Sequence, residues 1–203
     1  MRNWKTYGTA SIVNGDLSFD GIRVFNATDP SFEPSIGEIY DFLSVAYPKF
    51  FKMDRVSKLA LLLSELLLTK LDGIKNVPKE EVAICLQTAH GCLDTDLRYL
   101  QTLDATHYFP SPSLFVYTLP NIAMGEICIR HGFKGENICL ISEQFDWDPV
   151  QHLISDWFES TGTTLCLVGW LEVLDEKYEG FLMAIGPENQ KTELNVPQKN
   201  SNG

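Results

Sequence analysis

The segment MDRVSKLALLLSELLLTKLDG, residues 53–73, constrains the fold more than any other part of the chain. Leu59, Leu62, Leu63, Leu66 and Leu67 recur at helical spacing, and Leu61 and Leu68 add apolar surface on the remaining sides. A helix that is apolar on more than one side has to lie between other elements, so this spacing predicts a layered fold with the helix inside it. The run from Leu59 to Leu68 is too short to cross a bilayer and is interrupted by Ser64 and Glu65. Gly73 marks the expected stop.

Short apolar runs supply the strands that such a helix needs. Lys5–Val13, Val82–Gln87, Asn137–Ile141, Thr164–Val173 and Phe181–Ile185 are read as strands, with Asn14-Gly15 as a turn. Thr95–Leu103 and Ile122–His131 are read as helices, and Phe115–Tyr117 as briefly extended. A third helix should open with Asp148 as N-cap, Pro149 at the first helical position and Gln151 closing a capping box. The stretch from Asp16 to Phe42, rich in Pro and Gly, is read as irregular or as short edge strands. Strands alternating with helices and ending in a hairpin predict an α/β mixed sheet with helices on both faces. Residues 1–186 form one domain in this reading, and 187–203 form a polar, disordered tail.

Charge and composition narrow the function. The net charge of −11 opposes nucleic-acid binding and docking on an anionic membrane. It also repels an acidic carrier protein at long range unless a local basic patch compensates. The N-terminus lacks the apolar core of a signal peptide, and the five cysteines follow neither a disulfide framework nor a zinc spacing. The expectation is a cytoplasmic protein with reduced thiols, without a cofactor or metal.

Candidate reactive groups are few. The stretch ENICLISEQFDWDPVQHLISDWF, residues 136–158, has the strand–turn–helix order on which several enzyme classes present a nucleophile. Its turn, Glu143 to Asp148, contains no Ser, Cys or Thr. Phe145 and Trp147 in that turn are candidates for a partner interface. His90, Cys92 and Asp94 form the densest reactive cluster, a Cys–His pair or a metal site if the fold supplies partners and a plain loop if it does not. Lys52 and Arg55 either bind a carrier phosphate or structure the entry to the long helix.

Three segments, in order and at matching spacing, resemble the N-terminal half of the β-ketoacyl synthases. FFKMDRVSKLALLLSELLL (50–68) is similar to that family's Arg- and Asp-marked helix. PSLFVYTLPNIAMGEICIRHGFKGENICLIS (112–142) is similar to its Pro-Asn helix, glycine turn and nucleophile strand. TTLCLVGWLEV (163–173) is similar to the strand that carries a Gly and a Glu, here Gly169 and Glu172. The resemblance covers about residues 5–185 and implies half of a thiolase-like fold, βαβαβαββ.

Family members are about twice as long, and their second half contributes two histidines with no counterpart in these 203 residues. His90, His107, His131 and His152 fall in no matching motif. The reactive cysteine of the family falls on Gln144, which cannot form an acyl thioester. Chain-length-factor subunits and some loading decarboxylases also carry glutamine there, so Gln144 is either a gate residue at a subunit contact or a polar loop residue.

The resemblance therefore implies no catalytic residue. It points to an inactive accessory subunit of fatty-acid or polyketide synthesis, partnered by an intact ketosynthase and by an acyl carrier protein, in a homo- or hetero-oligomer. The alternatives are a thioester decarboxylase or hydrolase, or a free-standing acyl-binding module.

Overall fold

A computed structural model describes residues 4–103, 106 and 109–188. The tail from 189 onward, and His107, lie outside the described residues. Seven strands form one sheet: β1 (Trp4–Val13), β2 (Asp16–Phe19), β3 (Ile22–Asn26), β4 (Val82–Thr88), β5 (Asn137–Ile141), β6 (Leu165–Leu174) and β7 (Lys177–Pro187). Their order is β3-β2-β1-β7-β6-β4-β5. β4 runs parallel to both β5 and β6, whereas β1, β2, β3 and β7 pair antiparallel with their neighbours. The expected mixed sheet is present, with the β2–β3 hairpin added at one edge.

Six helices cover it: α1 (Phe32–Phe42), α2 (Arg55–Thr69), α3 (Leu93–Leu100), α4 (Pro112–Phe115), α5 (Ile122–His131) and α6 (Trp147–Ser160). The leucine-rich segment is α2. Asp54 caps its first turn by accepting from the Ser57 N–H at 3.1 Å. Twelve of its fifteen residues are buried, so α2 is an interior layer, lying on β1, β6 and β7 with α1 and α5 packed against it. It stops at Thr69, four residues before Gly73, whose φ of 83° instead opens a short 3₁₀ turn at Ile74–Asn76.

Among the described residues the opposite face carries α6 alone, where Val150, Ile154 and Trp157 pack on Ala83, Cys85, Cys166 and Val168. Gly169 in β6 is required by the tightness of the β6–β7 pair. A Cβ there would collide with the Phe181 carbonyl and stand 2.9 Å from Leu182.

Three expectations are corrected. The stretch Asp16–Phe42, read as irregular or as short edge strands, supplies the edge hairpin of β2 and β3 but also contains α1, whose Phe32, Ile36, Ile39 and Tyr40 are buried at helical spacing. Pro34 fits because it occupies the first turn, where no backbone N–H is needed for the helix. Phe115–Tyr117, read as extended, instead ends the single turn α4 (112–115, capped by Ser111) and continues as a turn at Val116 and Tyr117. α6 begins at Trp147 with Asp146 as its cap, which moves Asp148 and Pro149 two positions further into the helix.

Candidate functional site: the turn between β5 and α6

The turn after β5 is shaped by a buried amide on the neighbouring strand. Gln87, with no exposed surface, donates from Nε2 to the Asp146 carbonyl at 2.7 Å and accepts the Asp146 N–H at Oε1, also at 2.7 Å. The Ser142 hydroxyl adds a bond of 3.2 Å to the same Oε1. Both ends of the turn are thereby tied to β4. Gln87→Leu should cost about 1–2 kcal/mol, because it removes the two main-chain hydrogen bonds that a buried amide makes to the turn. The check is a urea melt together with amide exchange across 142–146, which should speed up there before anywhere else in the sheet.

The start of α6 is already saturated with negative charge. The Asp146 carboxylate accepts the Asp148 N–H at 2.9 Å, and Asp148 accepts from Gln151 Nε2 at 3.1 Å. Pro149 has no N–H to offer. An oxyanion needs free donors at a positive helix end. Here one such donor is occupied, another is absent, and two carboxylates stand at the end.

Gln144 is exposed and lines a groove of about 360 Å³ with Ser11, Val13, Phe145, Trp170 and Phe181. Glu143 and Glu179 stand in the same lining. Phe145 and Trp147 are half-buried rather than free. Phe145 meets Trp147 edge-on at 5.1 Å and Phe181 at 4.9 Å, so the pair closes one end of the α6 core.

The second candidate cluster is pulled apart. His90 Nδ1 lies 2.6 Å from Glu172 Oε2, a carboxylate from β6. Glu172 also accepts from Thr88 Oγ1 at 2.7 Å and from the Ala89 and His90 backbone N–H groups. Partial burial works against the Glu172 charge, but these hydrogen bonds outweigh it and hold its carboxyl below the usual range. With an ionised partner, Nδ1 is the donor to Glu172, and His90 lines a cleft of about 810 Å³ at the carboxyl ends of β4 and β6.

Cys92 turns away from His90. It is buried and bonds Asp96 at 3.4 Å; burial and that bond push its thiol up to about 11, so it is not a nucleophile at neutral pH. Asp94 pairs with Arg98 at 2.9 Å and accepts the Asp175 N–H at 3.1 Å. Arg55 is buried among Glu33, Asp94 and Glu176, a structural position. Among the described residues no group of three or more His, Cys, Asp or Glu is placed to hold a metal ion, and no helix is long and apolar enough to cross a membrane.

The residues that reading the sequence missed are Gln87 and the role of Glu172. Gln87 sits in an apolar strand run with nothing to mark it. Glu172 was visible only as part of a motif, 82 positions from its imidazole partner.

No protein-family profile and no curated protein matches the sequence. Solved structures do match. The ishigamide ketosynthase/chain length factor aligns with a TM-score of 0.66 at 16% identity, over 94% of this chain and 64% of that one. The ketosynthase ApeO in complex with its chain length factor ApeC, from Xenorhabdus doucetiae, aligns at 0.57 and 14% identity, over 91% of this chain and 79% of that one. AntDE:AntF, a type II polyketide ketosynthase in complex with its acyl carrier protein, aligns at 0.60 and 12% identity, over 92% of this chain and 63% of that one. With its sheet order, its crossovers and these alignments taken together, the chain has the thiolase-like fold of the ketosynthases and chain length factors.

Proposed function

We propose that this chain is a non-condensing, chain-length-factor-like subunit that binds an intact ketosynthase in fatty-acid or polyketide synthesis. The observation that carries the reading is the turn at Gln144. A strand, turn and helix in the order that presents a nucleophile stand at β5 and α6, the family's nucleophile position falls by resemblance on the amide Gln144, and the helix end is filled by Asp146. Such a site has lost both attack and charge stabilisation, which a partner subunit would have to supply.

Two surfaces support a partner. β5 is an edge strand of five uncharged residues, Asn137–Ile141, with Ile138, Cys139 and Leu140 only half-buried and Ile141 61% exposed. An edge strand without charge, proline or bulge invites pairing with another chain. Leu93, Leu97 and Leu100 form an exposed stripe on α3, which starts beside Gly91, close to Ile141. The ishigamide and ApeO structures are themselves ketosynthase assemblies with a chain length factor, which adds weight to a ketosynthase as the partner. The AntDE:AntF complex extends the reading to an acyl carrier protein as a further contact.

The test is to tag this chain in its own host, isolate the native complex and weigh it with its companions identified. A ketosynthase in stoichiometric amount is expected. A monomer or self-dimer with no ketosynthase would overturn the assignment.

A further inference from the structure

We infer that the groove beside Gln144 docks a partner-protein segment that presents Lys or Arg side chains from an apolar helical face. The sheet is covered unequally. Among the described residues one face carries α1, α2 and α5, while the other carries only α6, seated over β4 and β6. Seven strands about 4.8 Å apart span roughly 30 Å, and one helix covers about 10 Å of that. The α6 cluster reaches Ile185 and Met183 of β7, but Ser11, Val13 and Phe181 beyond it stay half-buried or exposed, and the groove lies there. Ser11 and Phe181 are paired across β1 and β7, and Val13, 45% exposed, is paired with Glu179.

The lining fits a cation carried on an apolar stem. Phe181 and Phe145, both half-buried, offer aromatic surface over the buried Trp170, and Glu143 and Glu179, both exposed, stand beside it with no Lys or Arg in the lining. An ammonium or guanidinium there gains an aromatic face and a carboxylate together, while its methylenes cover the rings.

The surrounding charge selects the occupant. From residue 135 to residue 176 the sequence has nine Asp or Glu and not one Lys or Arg. The whole β5–α6–β6 flank is thus negative, and a second copy of this chain would bring the same charge against it. A basic amphipathic segment is the complementary surface. This argument rests on the chain's own groove and does not require the partner to be a ketosynthase, so its failure would leave the co-purification test untouched.

The experiment titrates the full chain with a Trp-free amphipathic helical peptide of Leu and Lys, following tryptophan fluorescence at low and moderate salt. Binding that weakens with salt is expected. Glu143→Gln with Glu179→Gln should weaken it about fivefold or more. Asp156→Asn with Glu159→Gln, the same charge change on the outer face of α6, should leave it within about twofold. All four carboxylates are exposed, so the variants should fold, and an unchanged melting curve verifies this.

Equal weakening by both double variants would reduce the effect to general acidity and overturn the groove. Equal binding of a Leu/Glu peptide would make it a plain apolar surface, and a self-dimer broken by Phe181→Lys would assign it to a second copy. Absence of binding at low salt would also overturn the inference.

Discussion

Arg55→Leu is expected to cost the fold about 3–5 kcal/mol, a large share of what holds a domain of this size together. Arg55 is the first residue of α2 and its side chain is only 8% exposed. Its guanidinium reaches Glu33 on α1 at 3.2 Å, Asp94 on α3 at 3.8 Å and Glu176 in the β6–β7 turn at 3.0 Å. It also donates to the Asp175 carbonyl at 2.6 Å and lies over the Phe32 ring at 4.7 Å. One side chain thus joins α1, α2, α3 and the final hairpin.

Leucine fills part of the volume but leaves Asp94, 5% exposed, with Arg98 as its remaining cation and the Asp175 carbonyl without this donor. Lysine should rescue poorly, since one ammonium cannot reproduce the planar fork that serves several acceptors. Urea melts of Arg55→Leu and Arg55→Lys check this. A loss below about 1 kcal/mol in both would mean that the network ornaments the fold rather than closing it.

The second large effect is acid lability through His131. This imidazole lies at the end of α5 with its Nε2 3.0 Å from Ser64 Oγ on α2. Burial lowers its pKa to about 4; Glu65 acts in the opposite direction, and Arg130 and Lys79 reinforce the shift. In the unfolded chain the group titrates near 6.5. The folded form therefore resists protonation, so the stabilisation is complete above about pH 6.5 and is lost as pH falls towards 4. The loss should reach about 2 kcal/mol at pH 5 and on the order of 3 kcal/mol at pH 4. His131→Gln keeps a polar group for Ser64 but cannot titrate, so its stability should be nearly flat between pH 7 and pH 5. Parallel slopes for the two proteins over that interval would remove His131 as the cause.

What the sequence made legible depended on whether the controlling contact was local. α5 and β5 were readable to the residue, because a glycine end and a short apolar run define them without help from elsewhere. α1 was hidden by Pro34 and Gly37, which read as breakers although the proline sits in a turn that needs no donor. Asp146 and Asp148 are equally good caps on paper, and the choice falls to Asp146 with Phe145 and Trp147 packed onto the α6 core.

At the candidate site the sequence placed Gln144 in the turn between β5 and α6, but it grouped His90 with its neighbours only by proximity along the chain. His90, Cys92 and Asp94 are neighbours in sequence, but a loop followed by a helix points them at three different partners. The carboxylate that engages His90 arrives only through the parallel pairing of β4 with β6. Gln87 could not be singled out because its two shortest bonds are to main-chain atoms, which carry no residue signature.

That grip on the main chain separates shape from chemistry in the turn. Gln87 holds the amide and carbonyl of Asp146, so the loop's path does not depend on which side chains stand at 143 and 144. Positions 143 and 144 therefore form a natural mounting point. A spin label, a fluorophore or a photoreactive group installed there would report on whatever approaches the turn while the scaffold beneath it keeps its course.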